Sequence, residues 1–171
     1  MNKSESFYLL PSQSSRSSKA ITLRQEWNSW LHGLAPWTHA ATFTCKRHSI
    51  GHKPISEKII IDVTRHLIRR INYRCFGKSA KAGKSVPVIA TFGWGAYHDH
   101  PHLHFSFEAP ATLAYEEFSS YLEDAADKSY WIDRQRCIKP YSDAGWIEYI
   151  TEHGTDQLIV PCITPSASYS T

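Results

Sequence analysis

The chain has few of the features that mark membrane-spanning, secreted or disulfide-rich proteins. No apolar run approaches the roughly 18 to 20 residues that cross a bilayer, and the first residues do not combine a basic stretch with an apolar stretch and a cleavage site. We therefore expect a cytoplasmic protein with no membrane partner. The four cysteines, Cys45, Cys75, Cys137 and Cys162, are widely separated and form no C-x-x-C pair. Their spacing excludes a zinc knuckle and a dense disulfide framework, and predicts ordinary buried thiols.

What is present indicates one folded domain of basic character. The chain has 171 residues, of which 42% are hydrophobic and 13% aromatic, enough to bury a core. Its net charge is +3, and its basic residues are concentrated in residues 46–53, 65–74 and 78–84. This distribution is compatible with a polyanionic partner, although solvated helices and loops give the same pattern.

The two ends differ in composition from the middle of the chain. Residues 1–20 are Ser-rich and predict a disordered tail, and residues 155–171, which include the stretch VPCITPSASYST, predict an extended C-terminal tail. Residues 21–154 are then the folded domain.

Hydrophobic periodicity within that domain predicts alternating strands and helices. A short helix after a Thr22 cap precedes the order β-α-β-β-α-β-α. Ser56 and Thr112 are the expected caps of the two core helices, and the second and third strands form a hairpin. This order predicts an α+β fold, an antiparallel sheet with helices packed on one face in the split β-α-β layout of ferredoxin-like proteins. The predicted strands cover residues 38–46, 86–94, 100–110 and 131–141, and the helices residues 22–33, 55–77, 112–128 and 142–154.

The third strand carries the most unusual pattern, YHDHPHLHFSF at residues 97–107, with four histidines at every second position. Since side chains two residues apart point to the same face of a strand, His102 and His104 are placed side by side. Two such imidazoles suit a shared divalent metal ion, and added oxygen ligands extend the choice to Mn²⁺ or Mg²⁺. The plain alternative is a half-exposed polar face. His98 and His100 either extend the ligand set or, because Pro101 interrupts the strand, lie in the turn.

A tyrosine on the last helix is the second candidate. Tyr149 lies in GWIEYITEH. A phenol is a weak nucleophile at its usual pKa of about 10, yet it can form a phosphotyrosine link when a metal ion polarises the phosphate. The plain alternative is that Tyr149 is a core or boundary aromatic, because Trp146, Ile150 and His153 share its side of the helix.

Together, the element order, the His-x-His strand and the tyrosine on the closing helix resemble the HUH endonuclease superfamily, which comprises rolling-circle replication initiators, relaxases and single-strand transposases. The resemblance covers residues 38–154: HPHLHF is similar to the metal motif, and GWIEYITEH to the nucleophile motif of the replication initiators. It implies that His102 and His104 bind Mg²⁺ or Mn²⁺. It also implies that Tyr149 attacks a single-stranded DNA phosphodiester and stays joined to the 5′ phosphate. Such nicking and joining would initiate replication or mobilisation of a plasmid, phage or related element, with a host helicase as partner.

Two departures from the family pattern keep alternatives open. Glu152 stands where replication initiators carry a lysine, and the strand IATFGWG supplies no acidic third ligand, for which His98 or His100 would substitute. These departures favour a catalytically degenerate HUH-fold module that binds nucleic acid or protein without cutting it. A zinc-stabilised structural domain is a third reading.

Residues flanking the histidines are candidates for DNA contact. Lys78, Lys81 and Lys84 would hold the phosphate backbone by charge, and Trp94 and Tyr97 would stack on unpaired bases. Their plain alternatives are solubilising loop lysines and aromatic side chains that cover the edge of the core.

Overall fold

A computed structural model describes residues 13–48, 54–94, 100–142, 145–152 and 158–165, with the side chains of residues 13–22 outside that description. Among the residues described, 3-10 helices at Gly77–Ala82 and Val160–Cys162 accompany the regular elements. The chain is α+β with an antiparallel sheet, as the sequence predicts. Its elements are α1 (Gln13–Gly33), β1 (His39–Cys45), α2 (Glu57–Phe76), β2 (Val88–Trp94), β3 (Pro101–Phe107), α3 (Tyr115–Asp127), β4 (Ile132–Pro140) and α4 (Gly145–Ile150).

The four strands form one sheet in the order β2-β3-β1-β4, and each neighbouring pair is antiparallel. The predicted hairpin of β2 and β3 is confirmed. The strands β1 and β2, which α2 connects, lie on either side of β3. This order makes β3 an interior strand, so each of its side chains has a neighbour on both sides.

The helices α2 and α3 pack on one face of the sheet and form the larger core. Ser56 caps α2 as predicted, since its Oγ accepts a hydrogen bond of 3.4 Å from the Ile59 amide. The predicted apolar stripe of α2 is buried, and Leu103, Phe105 and Phe107 of β3 point toward it. Full burial of one such side chain is worth about 1.5–3 kcal/mol, so this layer fixes the orientation of β3. The helix stripes consist of Ile60, Val63, Leu67 and Ile71 in α2, and Phe118, Leu122, Ala125 and Ala126 in α3.

A second, smaller core lies on the opposite face of the sheet. The end of α1 and the short α4 pack there against Ile89 of β2. Strand alternation explains this layer, because Ile89 points away from the larger core and its apolar side chain needs cover. The members of this core are Leu31, Leu34, Ala35, Trp37, Ile89, Ile147, Ile150 and Leu158.

Several boundaries differ from those that the sequence predicts. The helix α1 begins at Gln13, within the stretch predicted as a Ser-rich tail, and residues 1–12 lie outside the described part of the chain. The helix α3 begins after Ala114, without a side-chain cap, so the expected Thr112 cap is wrong. The helix α4 ends at Ile150, while the predicted stop at Gly154 falls on residues outside the description.

The segment 158–165 also differs from the extended tail that its prolines indicate. Its backbone pairs with the free edge of β2: the amides and carbonyls of Val88 and Thr164 exchange two hydrogen bonds of 2.8 Å, and the Ile159 amide donates to Ala90 over 2.9 Å. Leu158 and Ile159 are buried. Apolar side chains and an unpaired strand edge together explain why this part of the chain packs.

The cysteines do not follow one pattern. Cys45 and Cys162 are buried as predicted, and burial raises the pKa of the Cys45 thiol to about 12. Cys75 is half-buried, and Cys137 on β4 is exposed, so the expectation of buried thiols is wrong for Cys137. Along the described ranges, no helix combines the length and apolar character needed to span a bilayer.

Candidate functional site

The histidine face, defined here as the sheet face that carries His102 and His104, lies opposite the larger core. Leu103 is fully buried under the helices, whereas His102 and His104 are half-buried on the other side. Their ring centroids are 6.2 Å apart and their planes differ by 22°. The predicted juxtaposition of these two imidazoles is therefore present in the fold.

One threonine on the neighbouring strand orients His104. Thr42 of β1 lies directly across from His104, and its Oγ1 is 3.0 Å from Nδ1 of the imidazole. When Nδ1–H donates to this hydroxyl, Nε2 carries the lone pair that can bind a metal ion. A hydrogen bond of this kind fixes both the tautomer and the ring orientation of a metal-binding histidine. The sequence alone does not point to Thr42, because alternation does not determine the strand register that aligns it with His104.

Both imidazoles are held neutral. Burial, with the charge of His102 as the second cause, lowers the pKa of His104 to about 4. Burial also lowers the pKa of His102, with the charge of His100 as the second cause. Neutral imidazoles have the free lone pair that metal binding requires, so near pH 7 no proton has to be displaced.

The residues present suit nitrogen ligation of a divalent cation. Gly93 of β2 lies across from His102, and a Cβ at this position would be 3.7 Å from Nε2 of His104. The glycine thus leaves open the space next to the nitrogen that would bind the ion. Two neutral imidazoles favour Mn²⁺ over Mg²⁺, which prefers oxygen ligands. Within the described residues, no group of three or more His, Cys, Asp or Glu side chains is placed to hold a metal ion.

Tyr149 lies against the histidine face. Its ring centroid is 5.6 Å from that of His104, with the planes nearly perpendicular at 82°. Trp146 of the same helix packs beside both rings, 5.9 Å from His104 and 5.6 Å from Tyr149. The Tyr149 side chain is 56% exposed, so of the two plain alternatives the core position is wrong and the boundary position remains. The phenol is open to a ligand while its ring contacts His104.

Contacts with the rest of the fold explain why so short a helix holds this position. Ile147 and Ile150 of α4 are buried in the smaller core. The Trp146 indole Nε1 donates a hydrogen bond of 3.3 Å to the Phe105 carbonyl of β3. The Thr151 hydroxyl donates one of 2.7 Å to Oδ1 of Asn28 in α1. The side of α4 that carries Tyr149 is thereby turned toward His104.

A groove of about 480 Å³ opens beside the two rings, between α4 and the β1–β4 side of the sheet. Lys139 of β4 lines it and is the cation among its lining residues, which also include Cys137. Lys139 lies across from Ala40 of β1 and shares the histidine face. The sequence alone does not point to Lys139, since alternation in β4 shows which residues share its face but not which strand lies beside it. The lining residues are Ala40, Thr42, Cys137, Lys139, Pro140, Ser142, Gly145, Trp146 and Tyr149.

The remaining sequence candidates are distributed differently. His100 is exposed directly before β3, which agrees with the turn reading, and its charge reaches His102. Trp94 ends β2 across from Pro101, so by alternation it shares the face of Leu103 and not that of His102. Tyr97 and His98 lie outside the described residues.

The three candidate lysines do not line the groove beside Tyr149. Lys78 and Lys81 belong to the 3-10 helix that follows α2, and Lys81 faces a separate groove on that helix. The ammonium of Lys84 lies 4.8 Å from the centre of the Phe76 ring. Among these three, Lys81 is therefore the candidate for a charge contact, and its partner would lie away from the histidines.

Comparisons of the chain with protein-family models, with curated proteins and with solved structures give no match.

Proposed function

We propose that this protein is a metal-dependent HUH-type endonuclease that nicks and joins single-stranded DNA through a phosphotyrosine intermediate. The observation that carries the proposal is the contact of the exposed Tyr149 ring with His104, one of two adjacent neutral imidazoles. A nucleophile and a pair of metal ligands from distant parts of the chain meet at one site, as a phosphoryl-transfer reaction requires. We also assign the sheet to the split β-α-β layout, because β3 lies between the two strands that α2 connects.

The proposed step exchanges one phosphate ester for another. The Tyr149 oxygen attacks the phosphorus of a DNA phosphodiester, and a bond from Tyr149 Oη to phosphorus forms as the bond from phosphorus to O3′ breaks. The phenol loses its proton and the departing O3′ gains one, so the products are a 5′-phosphotyrosine and a free 3′-hydroxyl. Attack of a 3′-hydroxyl on the phosphotyrosine reverses the step and joins the strands.

The chain's own residues bind and orient the reacting groups. A Mn²⁺ or Mg²⁺ ion, when bound by His102 and His104, would polarise the phosphate oxygens. Thr42 orients His104, and Trp146 supports the Tyr149 ring from the side. Lys139 in the adjoining groove is placed to neutralise the phosphate, the role that Glu152 cannot fill.

The groove beside Tyr149 gives the proposed path of the DNA strand. An unpaired strand presents its phosphate to Tyr149 without a complementary strand in the way, which is why we propose a single-stranded substrate. Trp146 and Tyr149 also offer ring surfaces next to the path. We place this reaction in the cytoplasm, at the origin of a plasmid, phage or related mobile element, with a host helicase supplying the unwound strand.

The test is formation of a covalent protein–DNA adduct. Purified protein is incubated with a library of short single-stranded oligonucleotides and Mn²⁺, and adducts are detected as bands that resist denaturing electrophoresis. Tyr149→Phe should abolish the adduct. Tyr130→Phe is the matched control, because Tyr130 is 44% exposed but packs against Trp131 and Lys46, away from the histidines. An adduct that persists in Tyr149→Phe would refute Tyr149 as the nucleophile.

The degenerate binding module gives a different result in the same experiment. Salt-sensitive binding of the oligonucleotides without an adduct, across the whole library and with either metal ion, would replace the endonuclease by that module.

A further inference from the structure

We propose a second nucleic-acid site on the outer side of α2, in a basic groove that binds the phosphate backbone of single-stranded nucleic acid. The groove has a volume of about 1090 Å³. Its charged lining consists of six cations and one carboxylate, that of Asp124. Such an excess of one sign in a concave surface attracts a polyanion. The six cations are Arg65, Arg69, Arg70, Arg74, Lys81 and Lys128.

Four of these cations come from α2 as two pairs, each one helical turn apart: Arg65 with Arg69, and Arg70 with Arg74. The two pairs lie on different sides of the helix and together extend over about 14 Å of its length. After α2 the chain turns at Gly77, whose φ of 55° favours glycine, and the following 3-10 helix brings Lys81 to the groove. The following segment is tied back to α2 by a 2.8 Å hydrogen bond from the Val86 amide to the Asn72 side chain.

Four of the six cations form no ion pair with a carboxylate in the described structure. Arg65 pairs with Asp62 at 3.8 Å and Lys128 with Asp124 at 2.7 Å. The Arg74 guanidinium lies 4.8 Å from the centre of the Tyr121 ring. Across residues 13–48, 54–94, 100–142, 145–152 and 158–165, no ion pair involves the remaining three, Arg69, Arg70 and Lys81. Arg69 and Lys81 therefore have their charge available to a ligand. The hydrogen bond from Lys128 is the main cause that lowers the pKa of the Asp124 carboxyl, and the charges of Arg70 and Arg74 also act on Asp124 and help to lower it.

The chemistry of the lining favours nucleic acid over other polyanions. Four of the six cations are arginines, whose planar guanidinium donates two parallel hydrogen bonds to a phosphate. Tyr73 lies among them and is 54% exposed, which leaves its ring free to stack on an unpaired base. A duplex keeps its bases paired and would not use this ring, so we assign the groove to a single strand.

This site is separate from the one on the histidine face. The inner side of α2 packs on the opposite face of the sheet through Ile60, Leu67 and Ile71, so the sheet and the helix layer lie between the groove and His104. The inference does not depend on strand cleavage. It also assigns a role to the basic segment 65–74, which the proposed active site does not use.

The experiment measures binding without cleavage. All variants carry Tyr149→Phe, the buffer contains EDTA, and fluorescence anisotropy follows fluorescein-labelled oligo(dT) and a duplex of equal length. The test variant combines Arg69→Gln with Arg70→Gln. The control combines Lys58→Gln with Arg134→Gln, which removes the same charge from exposed positions outside the groove. Circular dichroism confirms that each variant is folded.

We expect the groove variant to bind oligo(dT) about tenfold more weakly than the control. The slope of log affinity against log salt concentration should be shallower by about 1.4, since each lost phosphate contact to a single strand contributes about 0.7 to that slope. Tyr73→Leu should weaken oligo(dT) binding further and leave duplex binding unchanged. Equal affinities of the groove and control variants would overturn the proposal, because they would show that binding depends on the net charge of the protein and not on this groove. A loss confined to the duplex would overturn the assignment to a single strand.

Discussion

The Thr42 hydroxyl lies 3.0 Å from Nδ1 of His104, while Thr91, which lies across from the same imidazole on the other side, makes no hydrogen bond with its hydroxyl in the described structure. The two threonines form a matched pair. Thr42→Val should weaken Mn²⁺ binding by about 10- to 100-fold, because it removes the partner that fixes the His104 tautomer. Isothermal titration calorimetry measures the affinity, and Thr91→Val should leave it within about threefold of the parent. Equal losses in both variants would show that Thr42 has no special role.

The same Thr91→Val variant should be more stable than the parent protein. Thr91 is fully buried and its Oγ1 has no partner among the described residues, and an unsatisfied buried hydroxyl costs about 1–3 kcal/mol. Valine has nearly the same shape and removes that cost. We expect the free energy of unfolding to rise by about 1 kcal/mol, measured by urea denaturation. A destabilised Thr91→Val would indicate that the hydroxyl has a partner, such as a buried water molecule.

Removal of metal ions should leave the fold intact. The two cores consist of apolar side chains packed on both faces of the sheet, so the protein as purified should still be folded and unfold cooperatively on heating after treatment with EDTA. Mn²⁺ at 100 times its dissociation constant should stabilise the protein by about 2.7 kcal/mol. His104→Gln should lose this gain, whereas His66→Gln, at an exposed position on α2, should keep it. Unfolding by EDTA would instead support a zinc-stabilised structural domain.

Local sequence signals predicted the elements whose apolar pattern repeats over several turns or along a strand. The Ser56 cap and the stripe from Ile60 to Ile71 defined α2, and strict alternation around Leu103 defined the faces of β3. The same reasoning failed where a strand edge or an apolar side chain is buried by residues that are distant in sequence. Nothing near Leu158 indicates that it will pair with Thr91, because the free edge of β2 appears only when the sheet forms.

The residues of the candidate site also fall into two groups, those that one element reveals and those that depend on strand pairing. Alternation placed His102 and His104 on one face, and the stretch GWIEYITEH in a predicted helix singled out Tyr149, because each signal lies within one element. Thr42 and Lys139 were not found, because their roles depend on the register of β1 with β3 and β4. Register is set by tertiary packing and turn geometry, which a single sequence does not display.

Acid should destabilise the protein through His39. This side chain is 2% exposed and stacks on Tyr115 with ring centroids 4.4 Å apart, and burial lowers its pKa below the usual 6.5. Below about pH 6.5 the unfolded chain therefore binds more protons than the folded one, and the free energy of unfolding falls as the pH falls. His102 and His104 contribute in the same direction.

The variant His39→Gln isolates this contribution. It should flatten, without abolishing, the fall in the free energy of unfolding between about pH 7.5 and about pH 5, measured by urea denaturation at each pH. His66→Gln, which changes an exposed histidine, should keep the parent slope. If the free energy of unfolding of His39→Gln depended on pH as steeply as that of the parent protein, other groups would account for the acid sensitivity.

Lys139 should accelerate the proposed reaction by its charge. It lines the groove next to Tyr149 and lies on the histidine face, where an ammonium can neutralise the phosphate that Tyr149 attacks. Lys139→Gln should slow single-turnover adduct formation by about tenfold, equivalent to about 1.4 kcal/mol in the barrier, with a smaller effect on oligonucleotide affinity. Lys139→Arg should restore most of the rate, because it restores the positive charge. Lys58→Gln removes the same charge from an exposed position outside the groove and should leave the rate unchanged. Equal rates for Lys139→Gln and the parent would show that Lys139 does not neutralise the phosphate in the proposed reaction.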